Sequence, residues 1–172
     1  MLFRSEIARQ ITEKLRLKLT GEERTRLARR YTEDTEAYHL YLKGRYFWSK
    51  RTGENLKKGV AYFEQAIAQD ARYALAHAGL ADAYLVMSFY DAGLPKDLMS
   101  KGKAAGLRAL EIDPDLPEAH AALGLIEACL DRDWAAAESR FKTAIERKIA
   151  YWLTHDHYGF VLGAQGDRKS VV

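Results

Sequence analysis

The chain has 172 residues, of which 48% are hydrophobic and 30% are charged, a composition typical of a globular domain. No apolar run reaches the roughly 18 residues needed to cross a bilayer, and a single cysteine excludes an internal disulfide. The beginning of the chain lacks the apolar block of a secretion signal, so we expect a cytoplasmic protein that does not enter a membrane. The net charge is +3, and the basic excess lies in residues 1–51, which hold 13 Lys and Arg against 7 Asp and Glu.

Helical periodicity extends along nearly the whole sequence. Residues 4–19 form the first predicted helix, in which Ile7, Ile11 and Leu15 share one side, and a capping pattern at Thr20 begins a second helix. These two helices are expected to form an N-terminal extension or cap over residues 1–34. Further helices are predicted at about 35–50, 55–69, 74–87, 98–112, 117–130, 134–147 and 153–165. Residues 88–97 are predicted to be a loop, because they contain glycine and proline.

One pattern of turn residues recurs along these helices. Asp113 precedes Pro114 and closes one helix, and Pro117 stands where the next helix begins. A similar turn follows Asp70, and a weaker one lies near residue 148. Matching residues are spaced by 43 and 35 positions, as in the pairs Ala66-Ile67, Ala109-Leu110 and Ala144-Ile145. A period near 34 with loop insertions indicates a repeat of helix–turn–helix units.

The repeats resemble the tetratricopeptide repeat family. That family places a small residue and then an aromatic in its first helix, as at Gly44 and Phe47, and a small residue, an aromatic and alanine in its second, as at Gly59, Phe63 and Ala66. The resemblance implies an all-α fold, a right-handed α–α superhelix of about three and a half helical hairpins. The array would cover residues 35–172, with repeats at about 36–70, 73–115 and 117–149 and a half repeat at 152–167.

Some positions depart from the family pattern. Ala71 and Ile149 replace the turn proline, Gly102 and Gly106 occupy the second helix of the second repeat, and Glu127 replaces an aromatic. A closer resemblance lies in residues 13–23, 31–38 and 41–46, which are similar to the repeat region of large bacterial signalling proteins. In those proteins a cyclase, kinase or winged-helix domain precedes a TolB-like segment and then the repeats. The resemblance implies a non-catalytic scaffold that belongs to a bacterial regulator.

The resemblance also implies a binding surface, since the first helix of each pair would line a concave face suited to an extended peptide or a partner helix. The candidate peptide-binding residues on that face are Tyr41, Arg45, Trp48, Asp82, Leu85, Leu125 and Phe160. Family members that bind the carboxyl-terminal tails of chaperones use a Lys/Asn clamp. Arg45, Asp82 and Leu125 occupy those positions here, so the clamp is not expected.

Two alternatives to peptide binding remain open. The chain could be a homo-oligomerisation module whose groove or open end is filled by its own chain, with dimer contacts through the C-terminal half repeat or the N-terminal helix. Nucleic-acid binding by the basic N-terminal helices is the third reading, and the interspersed acidic residues make a solvated helix face the better explanation.

Nothing in the sequence indicates an enzyme, a metal site or a cofactor. His77 and His120 occupy equivalent repeat positions and are expected to pack, whereas His155 and His157 would point apart on a helix and could not share a metal ion. Cys129 is expected to pack as well. The loop carboxylates of Asp131 and Asp133 are better interpreted as helix-end groups than as an acid/base pair, and the motif of a phosphate-binding glycine loop is lacking.

Overall fold

The computed structural model describes residues 32–90, 95–146, 158–159 and 161–163. All regular structure in these ranges is helical, with no strand, as the sequence predicts. The helices are α1 (Thr35–Ser49), α2 (Gly53–Gln69), α3 (Ala74–Tyr90), α4 (Pro95–Ile112), α5 (Pro117–Ile126) and α6 (Trp134–Glu146), with a π-helical turn at Glu127–Asp131. The two predicted N-terminal helices and most of the last predicted helix, including Phe160, lie outside the described residues.

Side-chain caps set the ends of the first pair of helices. The Asp34 carboxylate accepts a hydrogen bond of 2.8 Å from the Ala37 N–H and begins α1. The Thr52 hydroxyl caps α2 in the same way, accepting from the Asn55 N–H. Between them Arg51 takes a left-handed conformation with φ of 52°, a place where helices commonly use glycine. The break between α1 and α2 is therefore made by Arg51 and not by Gly53, which is the first residue of α2.

The predicted loop at 88–97 is shorter than the sequence indicated. Helix α3 continues to Tyr90, and α4 already begins at Pro95. The reason is that the first position of a helix tolerates proline, because its N–H would have no intrahelical partner there. Pro117 begins α5 in the same way. Residues 91–94 lie outside the described part of the chain.

The helix predicted at 117–130 also changes its geometry near its end. Regular α-helix stops at Ile126 and a π-helical turn follows, in which the Arg132 N–H bonds to the Glu127 carbonyl. Arg132 closes this turn in a left-handed conformation with φ of 56°. The Asp133 carboxylate then caps α6 by accepting a 3.0 Å hydrogen bond from the Ala136 N–H, which is the helix-end role the sequence predicts for it.

The helices pack as consecutive pairs. α1 packs most extensively on α2, α3 on α4 and α5 on α6, and the other main contacts join helices one or two places apart along the chain. Phe63 of α2 shows why the packing is close: a Cβ added to Gly44 of α1 or Gly79 of α3 would lie 2.7 Å from its ring. The ring thus fills the space that two glycines on neighbouring helices leave open.

The third pair repeats this arrangement, while the second departs from it. Phe141 of α6 approaches Gly124 of α5, and a Cβ there would lie 3.0 Å from the ring. In α4, Gly106 takes the repeat position that Phe141 has in α6. The side chain of Leu123 fills the space beside Gly106, 2.8 Å from an added Cβ. The glycine that breaks the sequence pattern is therefore compensated by a leucine from the following pair.

The turns before α3 and α5 are built alike. Asp70 accepts a hydrogen bond from the N–H of Arg72, and Asp113 accepts one from the N–H of Asp115. These local carboxylate–backbone bonds stabilise a turn whether or not proline follows the aspartate. Ala71 therefore replaces the proline found at residue 114 without loss of the turn.

The core runs through the contacts between the pairs. Phe63, Leu80, Leu123 and Phe141 are all buried, as the sequence predicts. In α3 only Tyr84, Phe89 and Tyr90 escape full burial, and in α5 only Glu118 does. Such all-round burial is typical of helices at the centre of a packed array. Among the described residues, no helix has the length and apolar character needed to span a membrane.

Candidate functional site

The C-terminal half of α1 and the residues just after it bring together an indole ring and two guanidinium groups. The Cζ atom of Arg45 lies 4.8 Å from the centroid of the Trp48 ring, and that of Arg51 lies 4.0 Å from it. Trp48 itself is only 4% exposed, because it packs against α2 beside Gly59. The left-handed backbone at Arg51 is what returns its guanidinium to the ring, and cation–π attraction stabilises that position.

Tyr41 lies one turn earlier and joins three helices. Its ring centroid is 5.8 Å from that of Phe63 in α2 and 5.3 Å from that of Tyr73, the residue that precedes α3. The side chain is half-buried, so part of the ring can still meet a partner. Tyr41, Arg45 and Trp48, which the sequence placed together in the candidate site, therefore all lie on α1, the first helix in the described part of the chain.

Next to these residues, the outward side of α1 exposes large apolar groups. Tyr38 is 40% exposed, Leu42 44% and Tyr46 57%, and they follow one another at four-residue spacing. Lys43 and Lys50 flank this stripe and are also exposed. We call these five residues the α1 surface.

The charge of the α1 surface has one sign. No Asp or Glu occurs between residues 37 and 53, whereas Lys43, Arg45, Lys50 and Arg51 lie there. The ammonium of Lys50 is 4.7 Å from the centroid of the Tyr46 ring, and that of Lys43 is 5.8 Å from the centroid of the Tyr62 ring in α2. Aromatic rings thus hold both lysines in place at the surface.

The other candidate residues lie elsewhere. Leu85 is fully buried and Leu125 is 4% exposed, and both belong to a core cluster that contains Met99, Ile126 and Phe141. Asp82 is 4% exposed. The sequence placed these three on an open concave face, but in this structure they have almost no surface to offer a partner. The physical reason is that α3 and α5 are covered on nearly all sides, whereas α1 is not.

His77 and His120 form equivalent contacts in the two turns. The Nε2 atom of His77 lies 3.1 Å from the Ala71 carbonyl, and that of His120 lies 2.9 Å from the Pro114 carbonyl. Because a carbonyl can only accept, each imidazole carries its proton on Nε2. Burial lowers the pKa of His77, and the nearby Arg108 lowers it further. The Ala71 carbonyl and the carboxylates of Asp70 and Glu111 act in the opposite direction, but burial has the largest effect. These contacts support the packing role predicted for both histidines.

Other polar groups form hydrogen bonds that link neighbouring helices. The Tyr84 hydroxyl donates a 2.9 Å hydrogen bond to Glu64, and burial together with this bond raises the pKa of Tyr84 to about 12. Arg140 of α6 donates to both carboxylate oxygens of Glu127, at 3.1 and 3.3 Å. Burial raises the pKa of the Cys129 thiol, which is unfavourable for a nucleophile. Within the described ranges, no three His, Cys, Asp or Glu residues are grouped to hold a metal ion.

The aromatic residues of α1 were singled out from the sequence, but its outward side was not predicted to be a binding surface. The sequence does contain a signal for that surface. Tyr38, Leu42 and Tyr46 form a second stripe, opposite the stripe of Leu40 and Gly44 that packs on the core. Two apolar stripes on one helix indicate that the helix has two contact surfaces. A position of α1 inside the array would have produced the same two stripes, so the pattern alone does not predict an exposed surface.

Comparison with known proteins adds no relative to this description. No protein-family model matches the chain, and no curated protein matches it significantly. Function is therefore inferred from the contacts, exposure and charge of the residues described above.

Proposed function

We propose that this chain binds a peptide or protein partner without catalysing a reaction, as a tetratricopeptide-type array in a cytoplasmic bacterial signalling or regulatory protein. Three features support the array. The main contacts join near neighbours along the chain, aromatic rings oppose glycines in two of the pairs, and the two turns share one set of hydrogen bonds. Such arrays present extended surfaces and recognise partners by shape and charge.

One observation supports the binding function most strongly, namely the exposed apolar and cationic α1 surface. Large apolar side chains in a row on one helix are costly to leave in water unless something binds them. Leu42 and Tyr46 stand in such a row, and no acidic residue between residues 37 and 53 offsets the cations beside them. Tyr41 and Arg45 extend the surface, and Trp48 supports it from below.

The buried candidates have a different role in this proposal. Leu85 and Leu125 hold the pairs together and so fix the relative positions of the helices, but they do not contact the partner. Asp82 is likewise not part of the contact surface in this proposal. The binding site is thus displaced from the middle of the array to its first helix.

The second candidate function is a homo-oligomerisation module whose groove is filled by its own chain. The burial of Asp82, Leu85 and Leu125 favours it, because a groove that awaits a partner would leave such residues in contact with water. Light scattering over a wide range of protein concentration tests the oligomer. A monomer at every concentration excludes a homodimer, and a dimer that dissociates when Leu42 is replaced by Ser would place the α1 surface in its interface.

Selection of peptides from a random display library on the full chain tests the main proposal. We expect the selected peptides to lose at least about tenfold in affinity for the Leu42→Ser/Tyr46→Ser variant. The matched control is Leu107→Ser/Tyr90→Ser, because Leu107 is 41% and Tyr90 55% exposed, close to the values of the residues tested. Failure to select any peptide, or peptides that bind both variants equally, would reject the α1 surface as the binding site.

A further inference from the structure

We propose that the partner of the α1 surface is an acidic segment of another protein, in which Asp and Glu side chains flank a central apolar residue. This inference rests on the proposed function and specifies the chemistry of its partner. Recognition would use acidic side chains along the segment, and would not need a free chain end. The apolar residue would contact Leu42 and Tyr46, and the carboxylates would contact Lys43 and Lys50.

The dimensions of the surface fit a short segment. Tyr38 and Tyr46 are eight residues apart on α1, which corresponds to about 12 Å along a helix axis. An extended peptide covers that distance with about four residues. A segment with one apolar residue between acidic neighbours therefore matches the spacing of the exposed groups.

The charge of the α1 surface determines the sign of the charge that we expect on its partner. The nearest acidic residues on α1 are Asp34 and Glu36, which lie at its N-terminal end, where the helix dipole favours negative charge. At the start of α2, Glu54 is paired with Lys58 at 2.6 Å. The cations of the α1 surface are thus left as its dominant charge, and carboxylates are the complementary groups in proteins.

The contacts with aromatic rings restrict the lysine side chains before a partner carboxylate binds. Lys50 lies over the Tyr46 ring, so its side chain has already lost part of its conformational freedom before a partner arrives. An ammonium has three donors, and those not directed at the ring can bond a carboxylate from the solvent side. Preorganised charge of this kind improves affinity without a new contact.

The same contacts argue against nucleic-acid bases stacking on this surface. Bases bind single-strand sites by stacking on free aromatic faces. The Tyr46 ring has Lys50 over one face, and Phe47 packs against it at an interplanar angle of 79°. The Tyr62 ring is stacked on Phe47 at 5.3 Å and faces Lys43. A carboxylate needs only the ammonium groups, whereas a base would have to displace them.

The chain's own N-terminal segment is a poor match for this surface. Residues 1–31 carry nine Lys and Arg against four Asp and Glu, the same sign as the surface. Like charges at close range are unfavourable, so the net charge of this segment does not complement Lys43 and Lys50. An acidic segment of another protein is the occupant that the charges favour.

Fluorescence anisotropy with the full chain tests the inference. The probe is a short labelled peptide with acetylated and amidated ends, in which Asp and Glu flank a single central Phe, and the comparison peptide carries Lys in place of every acid. We expect the acidic peptide alone to bind, with an affinity that falls at least about fivefold between roughly 50 and 500 mM salt. Equal binding of the basic peptide, or no effect of salt on the unaltered chain, would overturn the inference.

Charge reversal locates the site. The Lys43→Glu/Lys50→Glu variant should bind the acidic peptide at least about tenfold more weakly. The control Lys96→Glu/Lys101→Glu changes the charge equally at two exposed positions on α4, and we expect its affinity to stay within about twofold of the unaltered chain. Equal losses in both variants would mean that net charge alone governs binding, which contradicts a local site. A single-stranded oligonucleotide that binds more tightly than the peptide would assign the surface to nucleic acid instead.

The outcome also separates this inference from the proposed function. If library peptides bind at Leu42 and Tyr46 but contain no excess of Asp and Glu, the α1 surface is a peptide site and the acidic partner is wrong. If no peptide of either kind depends on the α1 surface, both proposals fail together.

Discussion

At the scale of single residues, His77 connects a local hydrogen bond to the pH dependence of stability. Its buried imidazole is held by the Ala71 carbonyl, and burial lowers its pKa below the usual value. The unfolded chain, with a pKa near 6.5, therefore takes up the proton first as the pH falls. His77 thus contributes stability above about pH 6.5 that is lost as the pH falls towards the pKa of the folded state.

We expect replacement of His77 by Gln to weaken this pH dependence. In urea denaturation, the free energy of unfolding of the unaltered chain should fall between about pH 7.5 and 5.5 by more than that of the His77→Gln variant. His39→Gln is the control, because His39 is exposed on α1. An equal fall in the unaltered chain and the His77 variant would show that this imidazole is not the titrating group.

Also at the residue scale, the left-handed backbone of Arg51 lowers stability, because this conformation is unfavourable for a residue with a side chain. We expect Arg51→Gly to be more stable than Arg51→Ala by about 1 kcal/mol, since both lose the contact with Trp48 but only glycine relieves the backbone. The neighbouring Lys50 has an ordinary φ of −73°, and there the order should reverse. Thermal unfolding of the four variants decides this, and an alanine variant as stable as the glycine variant at residue 51 would contradict the assigned conformation.

At the scale of elements, the pair Glu127–Arg140 joins the π-helical turn to α6. The Glu127 carboxylate is nearly buried, so it depends on the hydrogen bonds that Arg140 donates to both of its oxygens. We expect Arg140→Leu to lower the free energy of unfolding by about 2–3 kcal/mol, because it leaves a buried charge without its partner. Equilibrium denaturation measures the loss.

A double variant tests the cause of that loss. The equivalent positions in the first two pairs hold Phe47 and Tyr84, so an aromatic side chain suits this place in a repeat. Glu127→Phe/Arg140→Leu should therefore recover most of the stability lost in Arg140→Leu alone, since no charge remains buried. A double variant less stable than the single one would mean that the space at residue 127 is shaped for the carboxylate.

At the scale of the whole molecule, the sequence predicted the helices and the core but not the location of exposed surface. Phe63 and Phe141 were predicted in the core because their spacing matches the repeat, and local patterns determine such positions. The burial of Leu85 and Leu125 was missed, because it depends on how many helices surround α3 and α5. That number is a property of the assembled array and leaves no periodic signal in either helix.

Helix boundaries show the same division between local and tertiary effects. The helix starts predicted at about 35 and 55 lie within two residues of the observed starts at Thr35 and Gly53, since caps such as Asp34 and Thr52 act within three residues. The π-helical turn at Glu127 was not predicted from the sequence. This turn brings Glu127 to Arg140 in another helix, so a contact between helices determines it. Of the candidate site, only Tyr41, Arg45 and Trp48 were placed together correctly, because all three lie on one helix at helical spacing.

The central claim is that a partner binds on the first helix of the array, and backbone NMR of the full chain tests it most directly. Titration with the capped acidic peptide should shift the amide signals of residues 38–51, with the largest changes near Tyr46 and Lys50, and leave those of α5 and α6 within experimental error. Changes centred on Asp82, Leu85 and Leu125 would place the partner in the middle of the array instead. That result would contradict the account.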